Sequence, residues 1–508
     1  MEPAPGTLRA GSRAGWPQRQ PSRLNTNPPC LLALTAVAVE WVDGARPDDS
    51  RRKYKMSPLA GSLSKQLRHH LRRNQRKFFS PLAWKVRLVF WVGALLVGGV
   101  CALFAILADR ADEVFHKLIG ISPWLPLVAT PLVITALAWA TRNLFPGSQG
   151  SGIPQAIASL ESRRKGAVLS LRIAIGKILL TLSGLVVGAA IGREGPSVHI
   201  GASIMYSLGR FARFPAHYME RGLILAGGAA GIAAAFNTPL AGIVFAIEEM
   251  SKSFEQRTSG IVTIGVVIAG VTALGALGPY HYFGTSNAFM PDYASWMAVP
   301  VCGVIGGLLG GLFASALVGG ARRLAPVVRT HPYRVAFVCG LAVAVIAYAS
   351  DYSSSGTGYA AAKSIITGQA EWDPIYPLMK IGATLASYLS GIPGGIFAPS
   401  LATGAGVGAN LGHWLPVAPL SVMIILGMVG YFAGVVQSPL TAFIIVMEMT
   451  NNQDMLLALI TTSFIAHGVS HLVCPQPIYH ALSRAFLNAE AGASESKPAA
   501  TEAKDKAA

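Results

Sequence analysis

Residues 88–108 contain no charged side chain, and residues 123–140 contain none either. A helix needs roughly 20 apolar residues to cross the hydrocarbon of a bilayer, so runs of this kind leave few folds open. Further apolar stretches cover 167–191, 223–247, 261–277, 294–321, 335–349, 378–391 and 422–436, several of them broken by Gly or Pro. Some are too short for a full crossing. An interrupted helix survives at membrane depth only where it is buried in protein or lines a cavity, so the pattern predicts a transporter or channel rather than a simple bundle. Of the 508 residues only 13% are charged, about half the share of a soluble domain.

The formal charge of +17 raises the question of nucleic acid. The basic residues cluster instead at 65–77, before the first long run, and at Arg163–Lys165, after the second. Two crossings lie between these clusters, which puts both on one side, and the positive-inside rule makes that side, with the N-terminus, cytoplasmic. The basic segment therefore reads as a topology anchor on anionic lipid, with no nucleic-acid partner. Cys30, Cys101, Cys302, Cys339 and Cys474 show no metal-ligand or redox spacing and read as small buried hydrophobes. Residues 1–79 are expected to be a largely disordered cytoplasmic segment, with Met56 as an alternative start, and 488–508 a disordered polar tail. That leaves 80–487 as the transport domain, with no soluble regulatory domain at either end.

Aligning the chain with itself reveals a repeat. Thr238-Pro239-Leu240 through Glu248 is answered by Ser438-Pro439-Leu440 through Glu448, at an offset of 200. Pro196-Ser197, with Gly201, recurs as Pro399-Ser400, with Gly404; Gly150-Ser151-Gly152 is echoed by Gly356-Thr357-Gly358. The chain reads as two related halves, about 85–250 and 294–470, and such repeats place a substrate site at their interface near the midplane. The pattern alone leaves parallel and inverted arrangements open.

Three motifs carry chemistry. In Gly150-Ser151-Gly152-Ile153-Pro154 the glycines allow close backbone approach, Pro suits a first helical turn and the hydroxyl can donate to an anion; an ordinary helix cap is the plainer reading. In Gly192-Arg193-Glu194-Gly195-Pro196 a helix start, with free N–H groups and a partial positive charge, points into the protein. Such an end binds anions without a full charge, weakly enough for release. Glu194 would occupy the place of that anion, unless it pairs with a cation such as Lys177. Gly395-Ile396-Phe397-Ala398-Pro399 is the second half's counterpart, with Phe397 in place of Glu194.

These motifs, in this order and at these separations, resemble the three signature motifs of the CLC family of chloride channels and chloride/proton exchangers, over roughly residues 80–487. The resemblance implies an all-α multi-span membrane protein with an inverted-repeat fold of tilted and broken helices, and a homodimer with one pore per subunit. It implies that Ser151, Tyr479 and the amides of Ile396 and Phe397 bind a central chloride. Arg193, Glu194, Gly195, Phe397 and Ala398 would then line an outer site, with Glu194 as the gate. It further implies that Glu249 is the internal proton-transfer glutamate, which passive channels replace by an apolar residue. Glu249 is expected to close an apolar helix of about 14 residues starting near Pro239; a solvated helix-end charge beside Glu248 is its simpler reading. Ser151 favours chloride over nitrate, the intact GREGP argues against the fluoride-exporting branch, and Gln155 replaces an acid found in some relatives.

The expected function is secondary active chloride/proton antiport in a bacterial inner membrane, with chloride and proton as cargo and no cofactor or metal; the alternative is a passive, glutamate-gated chloride channel. An intramembrane hydrolase has no supporting motif, since neither HExxH nor GxSxG lies near either glutamate.

Overall fold

The computed structural model describes residues 81–487 apart from 163–164, 213–216, 252–255 and 279–281. The basic cluster at 65–77, Arg163, and the segments expected to be disordered at either end lie outside the described residues.

Among the described residues the architecture is all-helical. The first half holds α1 (Pro81–Ile121), α2 (Leu125–Asn143), α3 (Ile153–Glu161), α4 (Leu171–Val186), α5 (Glu194–Phe211), α6 (His217–Phe236), α7 (Pro239–Phe245), which continues as a π-helical turn over Ala246–Ser251, and α8 (Gln256–Leu277). The second half answers in the same order with α9 (Ala298–Thr330), α10 (Pro332–Ala349), α11 (Tyr359–Ile366), α12 (Tyr376–Leu389), α13 (Phe397–Trp414), α14 (Leu420–Val436), α15 (Pro439–Thr450) and α16 (Leu456–Val473). A last helix covers 478–487. In this order α16 is the counterpart of α8.

Among the described residues, five stretches are long and apolar enough to cross a bilayer: Arg87–Ile121, Leu125–Asn143, Ala294–Thr330, Pro332–Ala349 and Leu456–Val473. Shorter apolar helices such as Leu420–Val436 and Pro439–Thr450 lie between them, and α5 and α13 begin at buried residues. Large apolar side chains face outward, with Leu457 67% and Leu472 86% exposed, whereas Arg193, Lys177 and Lys380 are among the largest fully buried side chains. This inversion of the water-soluble pattern is what lipid as a solvent demands.

Glycine brings the helices together. A Cβ on Gly201 of α5 would lie 2.1 Å from the Gly227 carbonyl of α6, and one on Gly427 of α14 would lie 2.3 Å from Gly408 Cα of α13. The same helix pair is thus pressed backbone to backbone in both halves, the close approach that small residues permit where lipid offers no hydrophobic drive. Arg142 donates to the Val328 carbonyl and Arg172 to the Leu144 carbonyl, so these arginines gather with Arg329 and Arg334 where α9 meets α10. Asp109, Asp112 and Asp351 lie at the opposite end, where the Tyr352 hydroxyl donates to the Pro123 carbonyl between α1 and α2.

A final cross-link joins the halves. The carboxylate of Glu448 accepts from the amides of Leu240 (3.2 Å) and Ala241 (2.8 Å) at the start of α7. Glu248 accepts from the amides of Leu440 (3.0 Å) and Thr441 (2.7 Å) at the start of α15. Each half caps the other's helix with the equivalent glutamate, a negative charge at a positive helix end.

Candidate functional site

The three motif loops meet as backbone. Gly192 and Gly395 exchange two N–H···O hydrogen bonds of 2.7 Å, while Gly150 donates to the Ile392 carbonyl and accepts from the Gly394 amide, both at 3.2 Å. Gly152 has φ 107°, a left-handed conformation in which a Cβ would also meet the Gly195 carbonyl at 2.8 Å. A Cβ on Gly195 would lie 2.1 Å from Ser151 Oγ. These glycines let the starts of α3, α5 and α13 converge. None of the N-cap residues Gly152, Arg193 and Ile396 makes a side-chain capping hydrogen bond of its own, and three positive helix ends face one buried region.

Glu194, the first residue of α5, is completely buried. Its carboxylate accepts from the Tyr359 hydroxyl at 2.6 Å and from the Ala398 amide at 3.4 Å, and so lies against the starts of α11 and α13 in the opposite half. The alternative partner, Lys177, turns away and donates to the Gly150 carbonyl at 3.0 Å. Lys380, at the equivalent place in the second half, donates to the carbonyls of Ser354, Ser355 and Gly356 at 2.9–3.0 Å. Each buried ammonium thus secures the backbone leading into a Gly-x-Gly turn. The Arg193 guanidinium donates to the Ala105 carbonyl and to Asp109 Oδ1, both at 2.7 Å, and lies over the rings of Tyr282 (4.8 Å) and Tyr359 (5.3 Å). The Tyr359 ring in turn stacks on Tyr282 at 4.9 Å.

Around the same converging helix ends lie Ser151, Ile396, Phe397 and Tyr479, all buried. The hydroxyls of Ser151 and Tyr479 lie close to each other without a well-formed hydrogen bond to protein, and each is able to donate. The Phe397 ring packs edge-on against Phe432 (5.0 Å) and tilted against Tyr479 (5.7 Å).

Glu249 lies further toward the arginine-rich end. The expected uninterrupted helix is instead α7 followed by the π-helical turn Ala246–Ser251, which contains Glu249. An extra residue per turn re-aims the side chain, a device common at functional positions. Glu249 is 3% exposed; the Ser438 hydroxyl donates to its carboxylate, and His480 Nε2 lies 3.1 Å from its backbone carbonyl and 3.9 Å from Oε1. It is therefore a buried carboxylate and not a solvated helix-end charge.

The profile of the voltage-gated chloride channel family matches residues 132–471. The chain belongs to that family. Among its relatives, the H(+)/Cl(-) exchange transporter ClcA of Yersinia pestis bv. Antiqua (strain Angola) is 29% identical over 78% of this chain and 88% of its own. ClcA of Vibrio parahaemolyticus serotype O3:K6 is 31% identical over 70% of this chain and 80% of its own. The crystal structure of a slow cyanobacterial Cl-/H+ antiporter superposes with a TM-score of 0.70 at 25% identity, covering 80% of this chain and 98% of that one. A CLC-type fluoride/proton antiporter shares the fold, with a TM-score of 0.68 at 22% identity over 79% of this chain and 99% of that one. Voltage-gated chloride channel proteins are membrane transport proteins and not enzymes, and this chain is a multi-pass membrane protein of that kind.

The motifs, and the family resemblance they carry, singled out Glu194, Arg193, Gly195, Ile396, Phe397, Ala398, Ser151, Tyr479 and Glu249. The structure brings the first eight together around the converging helix ends, with Glu249 against His480, the chain neighbour of Tyr479. Sequence reasoning missed Tyr359, Asp109, Tyr282, Ser438 and His480. For Tyr359 and Ser438 a signal existed, since both sit on repeated motifs at the starts of α11 and α15.

Proposed function

We propose that the chain is a secondary active antiporter that exchanges chloride for protons. The observation that carries this reading is the pair of buried carboxylates, Glu194 and Glu249, on either side of Ser151, Phe397 and Tyr479. A passive pore needs only the first of them. Chloride is bound by the starts of α5 and α13, where Arg193, Gly195 and Ala398 lie, by the amides of Ile396 and Phe397, and by the hydroxyls of Ser151 and Tyr479. Helix ends and hydroxyls attract the anion while leaving its exit cheap. Glu194 competes with chloride when ionised and leaves when protonated, so one side chain serves both ions in turn. Glu249 exchanges protons with the arginine-rich end, which the positive-inside rule makes cytoplasmic.

The relatives named H(+)/Cl(-) exchange transporters support this choice over a passive channel, and the intact GREGP motif supports chloride over fluoride. The working unit is a homodimer with a complete pore in each subunit, in a bacterial inner membrane. The test is the reversal potential of the purified chain in liposomes under opposed chloride and proton gradients. An exchanger reverses between the two equilibrium potentials and drives protons uphill on a chloride gradient. Glu249→Gln should stop proton movement while chloride continues to flow. Reversal at the chloride potential alone would make the protein a channel.

A further inference from the structure

A buried carboxylate that trades protons with water needs a route to water. Glu249 has almost no exposed surface, and the Ser438 hydroxyl covers one of its oxygens. On its other oxygen the neighbour is an imidazole. His480 Nε2 is 3.9 Å from Glu249 Oε1, and the His480 side chain is 21% exposed against 4% for Glu249. His480 also lines a cavity of about 220 Å³ walled by Glu161 at the end of α3 and by Gln476, Pro477, Ser483 and Arg484 around the last helix. The cavity, the imidazole and the carboxylate thus form a series from more open to more buried.

We propose that His480 is the proton entry station of Glu249, passing protons between this cavity and the buried carboxylate. This deepens the antiport reading and rests on it. An imidazole is suited to the task because its ordinary titration lies near pH 6.5 and its two nitrogens can hold protons on opposite sides of the ring. The step balances simply. The ring takes a proton from cavity water to become imidazolium, Nε2–H then gives its proton to Glu249 Oε1, and the ring is left neutral while the carboxylate becomes a carboxylic acid. The ring, left with its proton on Nδ1, is reset by tautomer exchange through cavity water, which removes the Nδ1 proton as another is placed on Nε2, so that the imidazole stays neutral. Among the described residues, the charged side chains beside the ring are Glu249 of the π-helical turn and, in the wall of the same cavity, Glu161 of α3 and Arg484, one turn along the helix of His480. The hydrogen bond to the Glu249 carbonyl, 3.1 Å from Nε2, fixes the ring beside the acceptor.

The experiment uses the full chain in liposomes, with chloride efflux and proton uptake recorded together in wild type, His480→Ala and His480→Gln. Gln keeps a donor for the Glu249 carbonyl but cannot titrate. Both variants should lose proton flux by about tenfold or more, the low end for a positioned acid–base group, while chloride efflux persists. Imidazole added on the cavity side should restore proton flux in His480→Ala, which a purely structural defect would not allow. A wild-type chloride-to-proton ratio in either variant overturns the proposal. So does restoration by Gln of what Ala loses, since the ring would then only hold the turn in place. A wild type that moves no protons at all overturns the antiport reading itself, and this proposal with it.

Discussion

Tyr359→Phe removes one oxygen from the protein and tests what holds the gate. The ring contacts of Tyr359 with Tyr282, Phe283 and the Arg193 guanidinium do not involve the hydroxyl, so Phe preserves them. What is lost is a hydrogen bond of 2.6 Å onto a completely buried carboxylate. A hydrogen bond to a charged group contributes about 1.5–3 kcal/mol. At about 1.4 kcal/mol per factor of ten, the ratio of seated to released Glu194 falls roughly 10- to 150-fold. The remaining contact across the halves is the longer one from the Ala398 amide, at 3.4 Å. Two readouts should move together. Chloride efflux from liposomes at neutral pH should rise toward the rate of Glu194→Gln, and chloride affinity measured by calorimetry should increase, because the anion competes with a weaker rival. A Tyr359→Phe protein with wild-type efflux and wild-type chloride affinity would refute the claim that this hydroxyl seats the gate.

Other outcomes are equally open to measurement. Glu194→Gln should carry chloride without the rise in flux that acid brings to the wild type, and without proton movement; pH-dependent coupled transport in that variant would remove Glu194 from the gate. Tyr479→Ala should weaken calorimetric chloride binding by up to about 3 kcal/mol if its hydroxyl donates to the anion, and unchanged binding would take it out of the site. Gly201→Ala puts a Cβ 2.1 Å from the Gly227 carbonyl, and the resulting overpacking should lower thermal stability in detergent by about 1–3 kcal/mol. Glu448→Ala strips the acceptor from two α7 amides and should cost about 0.5–2 kcal/mol of stability, the range for a lost helix cap.

The sequence announced the fold and the site unevenly, for physical reasons. Gly-Pro helix starts are visible because only glycine tolerates the close approaches at Gly152 and Gly195 and because proline fits a first turn, so each motif carries its geometry in its residue types. The repeat exposed the pairing of motif loops that meet at Gly192 and Gly395. Partners set by tertiary placement left no such trace. Tyr359 and Glu194 are 165 positions apart, and nothing local to Glu194 marks a tyrosine in the other half as its donor. Lys177 was a reasonable rival until the fold turned it toward the Gly150 carbonyl. The π-helical turn at Glu249 was hidden because Ala246–Ser251 continues a pattern that ordinary helix geometry also satisfies.

The reciprocal caps at α7 and α15 bear on how the chain is made. Leu240 and Ala241 leave the ribosome about 200 residues ahead of Glu448, which at 5–20 residues per second is a delay of roughly 10–40 s. Throughout that interval the start of α7 has no carboxylate to receive its amides, and the Glu248 charge has no α15 to neutralise. The nascent first half must therefore wait in the membrane, held by lipid headgroups, water or the insertion machinery, until its mate arrives. Assembly of this protein is complete only when the second half has been inserted, and an interrupted synthesis leaves a half with one bare helix end and one stranded charge for quality control to recognise.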